Sequence, residues 1–285
     1  MISATTRVAA VIGDPVRHSL SPRLHNAAYR ELGLDWVLVA FEVPEARASG
    51  AIDAIRTLDL VGYAVTMPLK TAIAARCDEL SPAAAALHSV NTVTALPDGR
   101  VAGDSTDGAG FLRSLAESGV DPAGSSVLLL GAGGAARAVA HSLGLAGARV
   151  SVAARKQDAA AAAAALAGGD AVGWDDRAAL ARASDIVVNA TPLGMARRAG
   201  PTDGEPPHAA VLDADALHSA QVVVDLVYHP IETLLLRNAR ERGARAVSGL
   251  GMLVHQAALQ VERWTGQPAP LTAMRASVTP DGAEP

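Results

Sequence analysis

The chain has 285 residues, half of them hydrophobic, which favours a folded protein of one large or two ordinary domains over a disordered one. Its net charge of -5 and its low aromatic content, with two Phe, three Tyr and three Trp, argue against a nucleic-acid-binding surface. The single cysteine, Cys77, excludes an internal disulfide and any cysteine-cluster metal site, and we expect no bound metal.

The N-terminal residues Met1–Ala10 lack the basic start and apolar run of a signal peptide. The most apolar stretch, around Val127–Ala146, is interrupted by Arg137, His141 and several glycines, so no membrane span is predicted. We therefore expect a cytoplasmic protein without a membrane partner.

Short apolar runs alternate with helical patterns in the first part of the chain. In order, they predict a strand at Val8–Gly13, a helix from Ser21, as its N-cap, to about Gly33, a strand at Val37–Phe41, a helix at Pro44–Thr57 and a strand at Val61–Val65. Short helices are expected at Pro68–Ala75 and Ser81–Ala86, then strands at Val90–Ala95 and Arg100–Ala102 around a Pro97-Asp98-Gly99 hairpin turn, and a helix from Thr106 to Gly119.

A second alternation follows the turn at Asp121–Gly124. It predicts strands at Val127–Leu130, Arg149–Ala153, Asp185–Asn189, Val222–Leu226 and Arg245–Val247, and helices at Gly133–Ala146, Gln157–Ala167, Ile231–Arg242 and Leu250–Thr265. Such repetition is typical of a parallel sheet with helices on both faces. The loop Ala196–Pro207, rich in Arg, Gly and Pro, is expected to be mobile, and the tail after Leu271 to be frayed.

A glycine-rich turn directly follows the apolar strand Val127–Leu130. It has the G-x-G-x-x-G/A pattern, formed by Gly131, Ala132, Gly133, Gly134, Ala135 and Ala136. The first glycine permits a tight turn, the second lets the backbone approach a pyrophosphate, and the helix N-terminus offers free N–H groups to the phosphates. The turn therefore predicts a dinucleotide site, and the alternative is a glycine-rich turn without a ligand.

The next strand, Arg149–Ala153, is followed by Ala154, Arg155 and Lys156. A site for NAD typically offers a carboxylate here, whereas a guanidinium binds a 2′-phosphate through two hydrogen bonds and stacks on adenine. Arg155 and Lys156 therefore favour NADP over NAD. The alternative is a pair of solvated loop cations.

Polar residues follow predicted strands of the first part, where α/β proteins bind ligands. Ser19 and Ser21 are two residues apart, so both hydroxyls can bind one carboxylate, although helix capping would also explain Ser21. Lys70 lies in the first turn of a helix, where it opposes the dipole, and is either a surface residue or an acid/base. Spacing alone favours a structural role for each of these residues, and for Asn91.

Seven segments, taken in order, resemble the shikimate dehydrogenases and their quinate dehydrogenase relatives. They are His18–Pro22, Val65–Lys70, Val90–Thr92, Asp104–Gly108, Gly131–Ala136, Asn189–Pro192 and Gly249–Ala257. Three positions depart from the family pattern, which commonly has asparagine at each. Ala64 and Ser105 remove amides that support the substrate site, and Ala154 weakens the phosphate-recognition motif.

The resemblance implies an oxidoreductase that reversibly reduces 3-dehydroshikimate to shikimate with NADPH, in the shikimate pathway that leads to chorismate and the aromatic amino acids. It places the acid/base lysine at Lys70 and its partner at Asp107. The substrate contacts that it implies are Ser19, Ser21, Thr66, Asn91, Tyr228 and Gln256, with the serine pair on the substrate carboxylate. The further cofactor contacts that it implies are Thr191, Leu226, Gly249 and Met252.

We therefore predict two α/β domains. Residues 1–106 with 249–285 form an α/β substrate domain, and residues 107–248 form a Rossmann-like, parallel-sheet domain that binds NADP. The alternatives are a quinate or aminoshikimate-pathway dehydrogenase of the same family and, in another class, a non-catalytic NADP-binding sensor. The expected partner is a small-molecule substrate, with no nucleic acid, and a homodimer is left open.

Overall fold

The structure, a computed structural model, describes residues 2–196 and 210–279 and divides into two compact units. The first comprises Met1–Thr106 and Val254–Pro285, and the second comprises Asp107–Leu253. The predicted mobile loop lies outside the described residues except for Ala196, as does the end of the tail. Every helix in the described part is too short or too polar to cross a membrane.

The first unit is built on a mixed six-stranded sheet. Its strands are β1 (Arg7–Gly13), β2 (Trp36–Glu42), β3 (Gly62–Val65), β4 (Glu79–Leu80), β5 (Thr92–Ala95) and β6 (Val101–Asp104), in the order β2-β1-β3-β5-β6-β4. β1 is parallel to β2 and β3, whereas β5 is antiparallel to β3 and β6. The antiparallel pairing of β5 with β6 follows the hairpin predicted at Pro97–Gly99, so this α/β unit has a mixed sheet.

Four helices of the first unit precede its boundary: α1 (Ser21–Glu31), α2 (Ala48–Thr57), α3 (Lys70–Ala74) and α4 (Pro82–Leu87). The prediction that Ser21 caps α1 is wrong, because the cap position is Leu20 and no side chain bonds there. Ser81 does cap α4, with its hydroxyl accepting from Ala84 N at 3.2 Å. This difference leaves the Ser21 hydroxyl available for another role.

The second unit is a parallel sheet of the Rossmann-like type, as predicted. Its strands are β7 (Ser126–Leu130), β8 (Arg149–Ala153), β9 (Asp170–Val172), β10 (Ile186–Asn189), β11 (Val222–Asp225) and β12 (Arg245–Ser248), in the order β12-β11-β10-β7-β8-β9. Every pairing in it is parallel. The order reverses between β7 and β10, and ligands bind at the carboxyl ends of strands at such a switch point.

The helices of the second unit are α5 (Asp107–Glu117), α6 (Gly134–Leu145), α7 (Gln157–Ala165), α8 (Arg177–Ala183) and α9 (Leu234–Glu241). Their packing buries the sheet on both faces. Leu129 belongs to one apolar cluster and Leu128 to the other, which explains why β7 is a continuous apolar run rather than an alternating one. Small residues bring the helices close, since a Cβ at Gly108 would lie 2.5 Å from Ala138 O.

The last two helices of the described part are α10 (Gly249–Thr265) and α11 (Leu271–Ala276). The division between the units falls inside α10, at Leu253, whereas we predicted it at the start of this helix. The predicted frayed tail is wrong for α11, which packs against α1 and buries Met274.

Candidate active site

The carboxyl ends of β1 and β3 lie side by side in the first unit and carry several of the predicted substrate residues. Thr66 follows β3 directly, and its backbone N–H donates to Ile12 O of β1 at 2.9 Å. One residue on, Met67 O accepts from Asp14 N at 2.9 Å. The loop after β1, which carries the serine pair, is therefore anchored to the loop that carries Thr66.

Lys70 and Asn91 are joined to the same end of β3 through the backbone. Val65 N donates to Asn91 O at 2.7 Å, and Val90 N donates to Lys70 O at 3.1 Å. Lys70 lies in the first turn of α3, as predicted, although the helix begins at Lys70 and not at Pro68, and Lys70 is half-buried. Two residues that are 21 positions apart in the chain are thus brought to one edge of the sheet.

The Asn91 side chain is held in a buried polar cluster and is only 3% exposed. Its Oδ1 accepts from Thr106 N and from Thr92 Oγ1, both at 2.8 Å. Its Nδ2 donates to Thr106 Oγ1 at 2.9 Å and, more weakly, to Gln256 Oε1 at 3.4 Å. The structure therefore brings Asn91 and Gln256 together, with the orientation of the Asn91 amide fixed by its partners.

The two predicted substrate serines are linked to each other by a hydrogen bond. Ser21 N donates to Ser19 Oγ at 3.2 Å, which keeps the two side chains close, and Ser19 is half-buried while Ser21 is 9% exposed. The Ser21 carbonyl pairs with Nδ1 of the buried His25 at 2.9 Å. Burial lowers the pKa of His25 to about 4, so this histidine is neutral at pH 7.

Ala64 and Ser105, two of the three positions that depart from the family pattern, are both buried. Ala64 is buried in β3 opposite Thr92. Ser105 N donates to Asp104 Oδ1 at 2.8 Å, and the Asp104 carboxylate also contacts Ser81 Oγ and Arg263 Nη2. Asp104 therefore holds the start of this segment against Ser81 and Arg263.

The glycine-rich turn of the second unit joins β7 to α6, and its glycines differ in what they do. Gly131 has φ +111°, and a Cβ there would lie 2.9 Å from Ala190 O, so the fold itself requires glycine. Gly133 and Gly134 are exposed, and a Cβ at either would meet nothing within 4 Å. The protein's own packing therefore leaves open space at these two positions.

The N-terminus of α6 fits an anionic group. Its cap residue is Gly133, no side chain caps it, and the next residues are Gly134 and Ala135. First-turn N–H groups have no partner within their own helix, and a phosphate satisfies them while it interacts with the dipole. The residues present are therefore suited to the pyrophosphate of a dinucleotide.

Arg155 and Lys156 are exposed just beyond the carboxyl end of β8. Because β8 pairs in parallel with β7, this end lies at the same edge of the sheet as the glycine-rich turn. Lys156 is also the cap residue of α7. The two cations are thus placed where a 2′-phosphate would need them.

The loops after β10 and β11 carry the remaining predicted contacts of the second unit. Thr191 is held by Asn189 Oδ1, which accepts from Thr191 N at 3.0 Å and from its Oγ1 at 2.7 Å. Leu226 N donates to Asn189 O at 2.9 Å, and the half-buried Tyr228 follows two residues later. Burial raises the pKa of the Tyr228 hydroxyl.

Three predicted residues of the second unit lie at helix starts. Gly249 begins α10 so close to Leu226 that a Cβ would overlap the Leu226 carbonyl, so packing alone requires glycine there. Met252 is 9% exposed and belongs to the apolar cluster that contains Phe111. Asp107 is the first residue of α5 and is 8% exposed.

Comparison with known proteins identifies the family of this chain. Two family models match, the shikimate dehydrogenase substrate binding domain over residues 11–93 and the shikimate 5'-dehydrogenase C-terminal domain over residues 249–279. The NADP(+) shikimate dehydrogenase of Methanopyrus kandleri is 44% identical over 287 residues, which cover 97% of this chain and 96% of that protein. The chain belongs to the shikimate dehydrogenase family.

Two solved structures show the range of this family. Shikimate 5-dehydrogenase from Thermus thermophilus, in complex with NADP(H) and shikimate, is 38% identical, covers 95% of this chain and 98% of its own, and has a TM-score of 0.85. Quinate dehydrogenase from Corynebacterium glutamicum, in complex with NAD, is 32% identical, with coverages of 95% and 98% and a TM-score of 0.86. The predicted family, fold class and oxidoreductase class are confirmed, and NADP is the cofactor named for the curated relative.

Sequence reasoning missed one buried network and one signal of composition. Asn189, Asp225 and Thr233 form the network. Asn189 and Asp225 are 36 residues apart and Asp225 and Thr233 are 8 apart, so no local pattern predicts it.

The signal of composition is that Lys70 and Lys156 are the only lysines among the chain's 24 lysine and arginine residues. Lysine and arginine differ in shape and in hydrogen-bond geometry, so the sequence alone distinguishes these two positions from the other 22 cations.

Proposed function

We propose that this protein catalyses the reversible, NADP-dependent reduction of 3-dehydroshikimate to shikimate in the shikimate pathway. The first unit would hold the substrate and the second would hold NADP. One observation carries the proposal: Lys70, one of two lysines in the chain, begins α3, and its carbonyl accepts from the backbone N–H of Val90, the residue before Asn91. The names of the curated relatives support the same reaction.

NADPH, when bound, supplies a hydride, and reduction of a ketone then leaves an oxygen that needs a proton. Lys70 Nζ gives that proton during reduction and takes it back during oxidation. The family resemblance gives Asp107 as the charged partner of this lysine. Both roles come from the family resemblance, and both residues are of the type that the reaction needs.

The substrate is a small polyol acid, and the residues of the first unit match its groups. Ser19 and Ser21 bind its carboxylate through their hydroxyls. Thr66, Asn91 and Gln256 bind its ring hydroxyls, and the family resemblance adds Tyr228 to the substrate contacts. Donors and acceptors held in one orientation favour this ligand because they lose little freedom when it binds.

The cofactor contacts follow the geometry of the second unit. The pyrophosphate binds at the N-terminus of α6, along the turn from Gly131 to Ala135. Arg155 and Lys156 bind the 2′-phosphate, and Thr191, Leu226, Gly249 and Met252 line the nicotinamide end. The open space over Gly133 supports this placement.

A second candidate is the oxidation of quinate with NAD, because a quinate dehydrogenase in complex with NAD has nearly the same fold. Arg155 disfavours it, since an NAD site typically has a carboxylate at this position.

Substitution of Lys70 tests the proposed role. We expect Lys70→Ala to lower kcat for shikimate oxidation by at least about a hundredfold, the usual contribution of general acid–base catalysis, and to leave the Kd for NADP within about twofold. Lys70→Arg keeps the charge and should be equally inactive. Arg76→Ala, which removes an exposed cation just after α3, is the matched control and should keep wild-type kcat.

A Lys70→Ala protein with wild-type kcat would contradict the assignment. A wild-type protein that binds NADP and turns over neither shikimate nor quinate would instead establish the sensor function.

A further inference from the structure

Asp225 is a fully buried carboxylate that the proposed reaction does not use. It is the last residue of β11, at the carboxyl end of the sheet, and is 0% exposed. Its Oδ1 accepts from Asn189 Nδ2 at 2.9 Å and from Val227 N at 3.0 Å. Its Oδ2 accepts from Thr233 Oγ1 at 2.7 Å. Three donors thus converge on one side chain.

These donors belong to the two loops that carry predicted ligand contacts. Asn189 ends β10, and its own Oδ1 holds both the N–H and the hydroxyl of Thr191. Val227 immediately precedes Tyr228, so the Val227 hydrogen bond fixes the backbone from which the tyrosine extends. Asp225 is therefore the common anchor of the loop after β10 and the loop after β11.

Thr233 lies at the end of the loop after β11. Its hydroxyl donates to Asp225 and also accepts from Leu236 N at 3.3 Å, which makes it the N-cap of α9. The segment from Leu226 to Thr233 is in this way tied to Asp225 at both of its ends.

The cost of this arrangement argues against a purely structural role. The three donors are neutral groups, and burial raises the pKa of Asp225 to about 6, so the ionised carboxylate is held against its preference for water. An apolar side chain would avoid that penalty but would leave the three donors without an acceptor, so the carboxylate is the group that holds both loops. Residues kept at a cost to stability are typical of functional sites.

We propose that Asp225 is a positioning residue that fixes the loops of Thr191 and Tyr228 relative to each other and so sets the geometry of the NADP site. This inference rests on the proposed function, because the roles of Thr191 and Tyr228 do. Asp225 acts through Asn189, Val227 and Thr233 and is not itself expected to touch a ligand.

Thr233→Val is the main test, because it removes one hydroxyl donor from Asp225 at nearly constant volume. We expect the Kd for NADP, measured by calorimetry, to rise about tenfold, and KM for NADP to rise more than kcat falls. Thr233→Ser restores the hydroxyl and should return both constants to within about twofold of the wild type. If Thr233→Val does not fold, Asp225→Asn is the second variant. We expect it to raise the Kd for NADP as well.

The matched control is Ser126→Ala at the opposite end of the same sheet. There, Ser126 Oγ donates to the Asp185 carboxylate at 2.6 Å, so the same kind of bond is lost away from the loops. We expect this control to change the Kd for NADP less than twofold. Loss of thermal stability in Thr233→Val with an unchanged Kd and KM would overturn the proposal and leave Asp225 a structural residue.

The outcomes separate this inference from the proposed function. If the wild type binds NADP without oxidising shikimate, the proposed reaction is wrong, and the Kd series still decides the role of Asp225. If the wild type oxidises shikimate and the Kd for NADP is the same in all variants, Asp225 is not a positioning residue. The proposed reaction is then unaffected. A wild type that binds no NADP overturns both.

Discussion

Replacing Gly133 with alanine separates the role of the glycine-rich turn in binding from its role in folding. Gly133 has φ -75° and ψ -175°, which alanine adopts freely, and the new Cβ would meet no protein atom within 4 Å. The helix loses a good cap residue and the unfolded chain loses entropy, so the free energy of unfolding should change by less than about 1 kcal/mol.

The same methyl group occupies the space where the pyrophosphate is proposed to lie. Forcing one extra carbon into a filled site typically costs about 1–3 kcal/mol. That cost corresponds to a Kd for NADP raised by roughly 5- to 150-fold. Gly133→Ala is therefore expected to fold normally and to bind NADP poorly.

Gly131→Ala gives a different pattern, because it strains the backbone. At φ +111° an L-residue costs on the order of 1–3 kcal/mol, and the 2.9 Å approach to Ala190 O adds a clash. This variant should lose both stability and affinity.

Calorimetric titration with NADP and thermal unfolding of the wild type, Gly133→Ala and Gly131→Ala would distinguish lost affinity from lost stability. Gly50→Ala, in α2 of the first unit and also with open space around its Cβ, is the control for a general effect of the substitution. Wild-type affinity in Gly133→Ala would refute the placement of the pyrophosphate at this turn.

Three further predictions follow from charged and buried groups. Arg155→Asp should weaken NADP binding by about 10- to 100-fold, the value of a charge-assisted hydrogen bond, and leave NAD binding nearly unchanged in parallel titrations. Burial raises the pKa of Asp225 to about 6, so the folded state binds the proton more tightly than the unfolded state. The free energy of unfolding of the wild type relative to Asp225→Asn should therefore fall by up to about 3 kcal/mol as the pH rises from 4 to 7 in urea titrations. His25 has the opposite sign, because burial lowers its pKa to about 4. Relative to His25→Phe, the wild type should lose up to about 3 kcal/mol as the pH falls from 7 to 4, and a flat difference would contradict its burial as a neutral group.

The sequence predicted those parts of the fold that local patterns determine. The apolar run at Val127–Leu130 and the glycines after it identify a buried parallel strand and its turn, because both depend on neighbouring residues. The turn at Pro97–Gly99 predicted the hairpin between β5 and β6 for the same reason. The antiparallel pairing of β3 with β5 was not predicted, because pairing between strands that are distant in sequence leaves no local pattern.

The site was predicted less fully than the fold. Individual residues such as Lys70 gained a candidate role only through the family resemblance, and their predicted contacts with ligands stay predictions. Asp225 was missed because its partners Asn189 and Thr233 become neighbours only when β10 and β11 pair. Ser21 was misread as a helix cap, because a serine before proline fits the capping pattern whether or not its hydroxyl bonds there.

The initial rate of reduced-cofactor formation with shikimate or quinate, each with NADP or NAD, tests the central claim most directly. We predict that shikimate with NADP gives the highest kcat/KM of the four combinations, because Arg155 and Lys156 favour the 2′-phosphate and the serine pair binds the substrate carboxylate. Activity confined to quinate with NAD would contradict this account.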